Sequence, residues 1–179
     1  SDEVRNAQPD TPVKLDKDLF LNNVRSAPRG SSAALSGWRY EHWKVLLDDE
    51  YSTDLFCLLA AEVAKANLAE GLCTALTAGQ MVALQKDDGG VRGIVAGETL
   101  RRLVARTLAQ QFGEELGREC SPFKFALPTR AGTECVSHMI RAATDIDPEL
   151  TILSVDELSA YDMIRRQAML GKMNKNRKL

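Results

Sequence analysis

Apolar residues recur at helical spacing through the first third of the chain, after an opening stretch, SDEVRNAQPDTPVK, whose polar, proline-containing pattern predicts a surface tail over residues 1–15. Asp16 is placed to cap a first helix that turns Leu19, Phe20 and Val24 to one side, and APRGSSAALSG breaks it. Ser36 and Gly37 then open WRYEHWKVLL, where Trp38, His42, Val45 and Leu46 recur as one face and Asp48 and Asp49 close the helix. A longer helix is expected over about 53–70, with Leu55, Leu58, Leu59, Val63 and Ala66 as its apolar positions and Gly71 as its stop. The pattern changes at MVALQ and VRGIVAG, two short strands joined through KDDGG by an Asp-Gly turn, with a helix over about 98–119 behind them. The Pro-punctuated SPFKFALPTRAG leads into helical spacing again in TECVSHMIRAATDI. The apolar run LTILSV predicts a buried strand, and a last helix follows near 165–173. These elements give an α+β fold, mostly helical with a small sheet, in one domain over 16–179.

Composition narrows this picture only a little. With 179 residues, 44% of them hydrophobic, the chain can bury an ordinary core without a metal or disulfide to hold it. A net charge of −2 provides no overall attraction to a polyanion, so such a partner would need local patches. One lies between Arg165 and Leu179, where Arg165, Arg166, Lys172, Lys175, Arg177 and Lys178 occur without an acidic residue; by itself this reads as a solvated tail. Cys57, Cys73, Cys120 and Cys135 form no Cys-x-x-Cys pair and predict four reduced core thiols. Cys135 and His138 share a helix face, but two ligands do not make a zinc site. No apolar run is long enough to span a bilayer and no secretory signal opens the sequence, so a soluble, intracellular protein is expected, its compartment left open. The first residue is Ser, which suggests a chain that was processed, tagged or cut from something longer.

Candidate chemistry centres on ILSVDELSAYDMI, residues 152–164. Asp156 ends an apolar run, as a carboxylate delivered to a metal at a strand end would, and equally as an Asp capping the next helix would. The residues alone leave both open. Neither Gly-x-Ser-x-Gly nor Gly-x-x-x-x-Gly-Lys-Ser/Thr occurs, which removes the hydrolase and mononucleotide-loop classes.

Four stretches, in order, resemble the amino-terminal half of the reverse transcriptase domain of retroelements, most closely the non-long-terminal-repeat kind. They are SGWRYEHWKVLL, ALQKDDGGVRGIVAGETLRRLVARTLAQQ, FKFALPTRAGTECVSHMI and ILSVDELSAYDMIRRQAML, together spanning about 36–170. The resemblance implies the fingers (about 36–131) and the start of the palm (about 132–179) of a right-hand RNA-dependent DNA polymerase. It implies Mg²⁺ held by Asp156 as the catalytic carboxylate, and Tyr161 beneath the incoming sugar. It also implies Lys86 and Arg92 around the triphosphate, with RNA/DNA template-primer and deoxynucleotides as partners. Arg101, Arg102 and Lys124 are candidates for nucleic-acid contact, and Asp162 reads as a helix cap. The sequence departs from the family pattern at Gly93, where Pro is usual, and at Lys124, where Gln is usual. The Tyr/Phe-x-Asp-Asp motif and the thumb are not in this sequence, so the chain alone is expected to be catalytically incomplete. Two further readings accompany this one: a structural or interaction subunit whose protein partner covers the incomplete palm, and a nucleic-acid-binding module, which lacks interleaved aromatics.

Overall fold

A computed structural model describes residues 11–120, 124–125, 130–156 and 163–175. These fall into two compact units, Thr11–Phe112 and a second within Gly113–Leu179. The first holds α1 (Lys17–Ser26), α2 (Tyr40–Val45) running into a 3₁₀ turn (Leu46–Asp48), and α3 (Glu50–Ala64). It continues with α4 (Glu70–Thr77), β1 (Gly79–Gln85), β2 (Val91–Gly97) and α5 (Thr99–Gln111). The second holds α6 (Gly113–Cys120), α7 (Gly132–Ile146) and α8 (Arg166–Lys175). The described residues are α+β and mostly helical, with one two-stranded antiparallel sheet.

The start of α1 follows from its cap: Asp16 accepts the Leu19 N–H at 2.9 Å, satisfying a donor that the first turn leaves open. Phe20, Leu21 and Val24 then enter the core of the first unit, where they meet Phe56 and Ala60 of α3, Leu100, Leu103 and Val104 of α5, and Tyr40 of α2. An aromatic series crosses this core. Phe20 lies 5.2 Å from Phe56, Phe56 stacks on Trp43 at 5.1 Å with 4° between the planes, and Trp43 lies 4.3 Å from Trp38. Polar groups sit beside this series in pairs: Asn23, buried, donates to the buried Thr107 Oγ1 at 3.1 Å and to Gln110 Oε1 at 2.8 Å, coupling α1 to α5.

Several sequence expectations are corrected. Helix α2 begins at Tyr40, not at Trp38, so its inward residues are Tyr40 and Trp43, while His42 is exposed and Val45 is 65% exposed. Asp49 does not close a helix; it caps α3 by accepting the Ser52 N–H at 2.7 Å, which starts that helix earlier than predicted. Helix α3 ends at Ala64 rather than near 70 because Ala66 adopts a left-handed conformation (φ 55°). Ala66 N–H bonds to the Val63 carbonyl and Asn67 N–H to the Glu62 carbonyl, closing the helix in a Schellman pattern. Gly71 lies inside α4. The helix predicted over 98–119 is divided, α5 ending at Gln111 and α6 starting at Gly113.

The run LTILSV is not a buried strand. Residues 151–156 have no regular structure, Leu153 is 82% exposed and Val155 81%. Apolar composition alone does not make a strand, since its backbone needs a ladder partner, and the one sheet among the described residues pairs β1 with β2 only. The thiols are free as expected but not core residues: Cys57, Cys73 and Cys120 are half-buried and Cys135 is exposed. Among the described residues no helix is long and apolar enough to cross a membrane.

Candidate nucleotide-binding hairpin

The hairpin pairs Gly79 with Gly97 at its root and Gln85 with Val91 near its tip. Between the strands, the Lys86 carbonyl accepts the Gly89 N–H at 3.0 Å and the Gly90 carbonyl accepts the Lys86 N–H at 2.8 Å. Gly89, at φ 82°, takes the left-handed position that a three-residue hairpin loop of this kind requires. Asp88 turns back on the loop, accepting the Gly90 N–H at 2.9 Å.

This register decides where the two predicted triphosphate cations lie. Arg92 is opposite Leu84, and Lys86 is two residues beyond Leu84 on the same strand, so the period of two puts both cations on one face as diagonal neighbours. Gly90 lies opposite Lys86 without a side chain; a Cβ there would touch Lys86 Cδ at 3.5 Å and Asp88 Oδ1 at 3.0 Å. Lys86 and Arg92 are exposed, and among the described residues neither forms an ion pair. The same face carries Val82, Leu84 and Ile94, and the opposite face Met81, Val91 and Val95. All six are between 44% and 73% exposed.

The other predicted residues are distributed differently. Asp156 is exposed and belongs to the second unit, as does the exposed Lys124. Tyr161 and Asp162 lie outside the described residues. No group of three His, Cys, Asp or Glu side chains converges among the described residues, so Mg²⁺ remains an implication of the resemblance. On α5, Arg101 is exposed, whereas Arg102 is engaged: it donates to the Ser32 carbonyl and lies 5.1 Å from the centroid of the Tyr40 ring, and its Nε is buried without a partner.

Sequence reasoning missed the polar contacts at the hairpin root. Glu98, 6% exposed, follows β2 directly, and its carboxylate accepts the Ser36 N–H at 3.1 Å and the Ser36 hydroxyl at 2.6 Å. Next to it, the fully buried Thr99 hydroxyl accepts Trp43 Nε1–H at 2.7 Å and donates to the Trp38 carbonyl at 3.2 Å. In sequence, Glu98 reads only as an acidic residue at the start of a helix. Nearby, Glu41 accepts the Gly30 N–H, and that hydrogen bond holds its carboxyl below the usual carboxylate range. Elsewhere in this unit, an open groove of about 660 Å³ runs between Pro12, Val13 and Leu15 and the Cys57–Ala61 stretch of α3, and contains none of the predicted site residues. Burial pushes the Cys57 thiol up, away from the reactive thiolate.

Compared with protein-family models, curated proteins and solved structures, the chain matches none.

Proposed function

We propose that this chain is the fingers and first palm portion of a reverse-transcriptase-like RNA-dependent DNA polymerase, with the β1–β2 hairpin as its triphosphate-binding element. The observation that carries the reading is the register, which sets Lys86 and Arg92 on one face as diagonal neighbours, Gly90 opposite the one and Leu84 opposite the other. Two neighbouring cations on an exposed ribbon, unpaired among the described residues, suit a polyanion of small span, whose charge they would neutralise. The resemblance would also assign nucleic-acid contact to Arg101 and Lys124, contact with the incoming sugar to Tyr161, and Mg²⁺ to Asp156.

Titration of a labelled deoxynucleoside triphosphate into the wild type and Arg92→Ala tests it. Binding should be weak and should fall as salt rises, since exposed charges are screened over about 10 Å at 0.1 M ionic strength. Arg92→Ala should weaken it further, while equal, negligible binding by both proteins overturns the reading.

A second reading, an interaction subunit covered by a protein partner, is favoured by a different observation: both faces of the hairpin carry large apolar residues that are exposed. Monomeric behaviour at high concentration with no apolar dye binding would remove it.

A further inference from the structure

The hairpin does not get its direction from packing of its own side chains. Its six large apolar residues are all exposed, and within the two strands burial increases only at the root, where Gly79, Ala96 and Gly97 are half-buried and the following Glu98 and Thr99 are buried. The last ladder pair is Gly79 opposite Gly97, so neither partner brings a side chain of its own to the root. A Cβ on Gly79 would come within 2.5 Å of Val95 Cγ1 and 3.1 Å of the Ala96 carbonyl oxygen, so a larger residue there would force Val95 to shift. A ribbon of two strands is marginal by itself, and one on a glycine base is free to swing unless something beside the base holds it.

What lies beside the base is Glu98. Its two carboxylate oxygens are both turned to Ser36, and the next residue, Thr99, is held from both sides by Trp43 and Trp38. Four hydrogen bonds thus join two consecutive residues of the β2–α5 junction to the 36–43 segment, which is itself seated on the core through Tyr40 and Trp43. A carboxylate that is buried keeps its partners, because leaving a charged oxygen unpaired costs more than a surface contact is worth. The Ser36 side, by contrast, is exposed, so the contact can be released from the surface without opening the core.

We infer that Glu98, held by Ser36, is a positioning residue: it sets the direction in which β1–β2 leaves the helical body and thereby where Lys86 and Arg92 present themselves. The consequence for ligand binding rests on the nucleotide reading above; the control of the hairpin's direction does not.

Amide hydrogen exchange on the full chain, run beside the triphosphate titration, tests it with Ser36→Ala, Glu98→Ala and Glu98→Gln. Ser36→Ala removes the hydroxyl donor and leaves a buried carboxylate oxygen unpaired; Glu98→Gln keeps an acceptor for the Ser36 N–H and an amide able to donate to its hydroxyl. In Ser36→Ala, exchange should rise roughly 5- to 30-fold in the amides of Gly79–Gln85 and Val91–Gly97, the range given by loss of one or two hydrogen bonds. Amides of α1 and of the Leu103–Thr107 part of α5 should hold their protection. Glu98→Ala should act at least as strongly, and Glu98→Gln should stay near wild type. Triphosphate binding should weaken in the same order.

Equal acceleration of hairpin and core amides would mean a plain stability role and overturns the proposal. So would unchanged hairpin exchange in the folded variants, or a hairpin that exchanges freely in the wild type. If exchange follows the expected order but the wild type binds no triphosphate, the positioning role stands and the nucleotide reading falls. If the wild type binds but exchange and binding ignore the substitutions, the positioning role falls and the nucleotide reading stands.

Discussion

Phe56 is where the first unit should be most sensitive, because its ring touches two aromatic neighbours from different elements. It is 2% exposed, tilted at 59° against Phe20 of α1 and stacked at 4° on Trp43 of α2. Phe56→Ala removes the whole ring from a packed core, a change that costs about 3–5 kcal/mol. Phe56→Leu keeps most of the apolar burial and loses the ring pairing, worth about 0.5–1.5 kcal/mol for each of the two pairs. Against a total of roughly 5–15 kcal/mol for a domain, the first loss is severe and the second moderate. Both tryptophans, Trp38 and Trp43, lie in this unit, so tryptophan fluorescence during urea unfolding reports on it alone. At a slope near 2 kcal/mol per molar urea, Phe56→Ala should lower the midpoint by roughly 2 M and Phe56→Leu by about half as much. A Phe56→Ala midpoint within about 0.5 M of wild type, roughly 1 kcal/mol at that slope, would refute this arrangement of the core. Equal losses from the two variants would refute the division between burial and ring pairing.

Two further outcomes follow from local contacts. Asp16→Ala should cost about 1 kcal/mol through loss of the α1 cap, with Asp16→Asn largely restoring it in the same urea assay; if Asn fails to restore, the carboxylate acts by charge and not as a cap. Glu41 binds its proton less readily folded than unfolded, chiefly because of the Gly30 N–H, with Arg39 and Lys44 adding to the effect. Its contribution is therefore present above the ordinary carboxylate range and is lost as pH falls through the lowered folded value. Urea midpoints measured from about pH 6 down to about pH 3 should fall less steeply in Glu41→Gln than in the wild type, and parallel profiles would refute the contact's role.

The legible parts of the fold were those set by a local chemical signal. Asp16 announced α1 by its own side chain, and Asp88-Gly89 announced the hairpin because only a residue such as glycine takes φ 82° easily. The illegible parts were decided by less usual residues or by distant partners. Helix α3 ends in a left-handed residue that is alanine, not glycine, so the sequence ran the helix on to Gly71. Its core face is Phe56 and Ala60, while Leu55 and Leu58, which fit the same period, are 48% and 63% exposed; a helix apolar on several sides does not say which side is buried. LTILSV had the composition of a strand without a neighbour to pair with. As for the site, Lys86 and Arg92 were legible as the two arms of a turn, but Glu98 was not, since its partner Ser36 is 62 residues away.

The same contrast holds between the core and the hairpin root. Core positions such as Leu103 and Val104 need an apolar side chain of suitable volume, a requirement many sequences meet in many ways. Polar contacts at the hairpin root are stricter. Ser36 must present both an N–H and a hydroxyl to Glu98, and Trp43 must bring an indole N–H to Thr99. Each of these fixes residue type and spacing together, because a buried polar atom with the wrong partner is costly. All of Ser36, Tyr40, Glu41 and Trp43 fall within SGWRYEHW, and through Ser36 and Trp43 this one stretch holds the junction from which the hairpin departs. Chemistry at Lys86 and Arg92 would depend on it at a distance, through the direction of the ribbon.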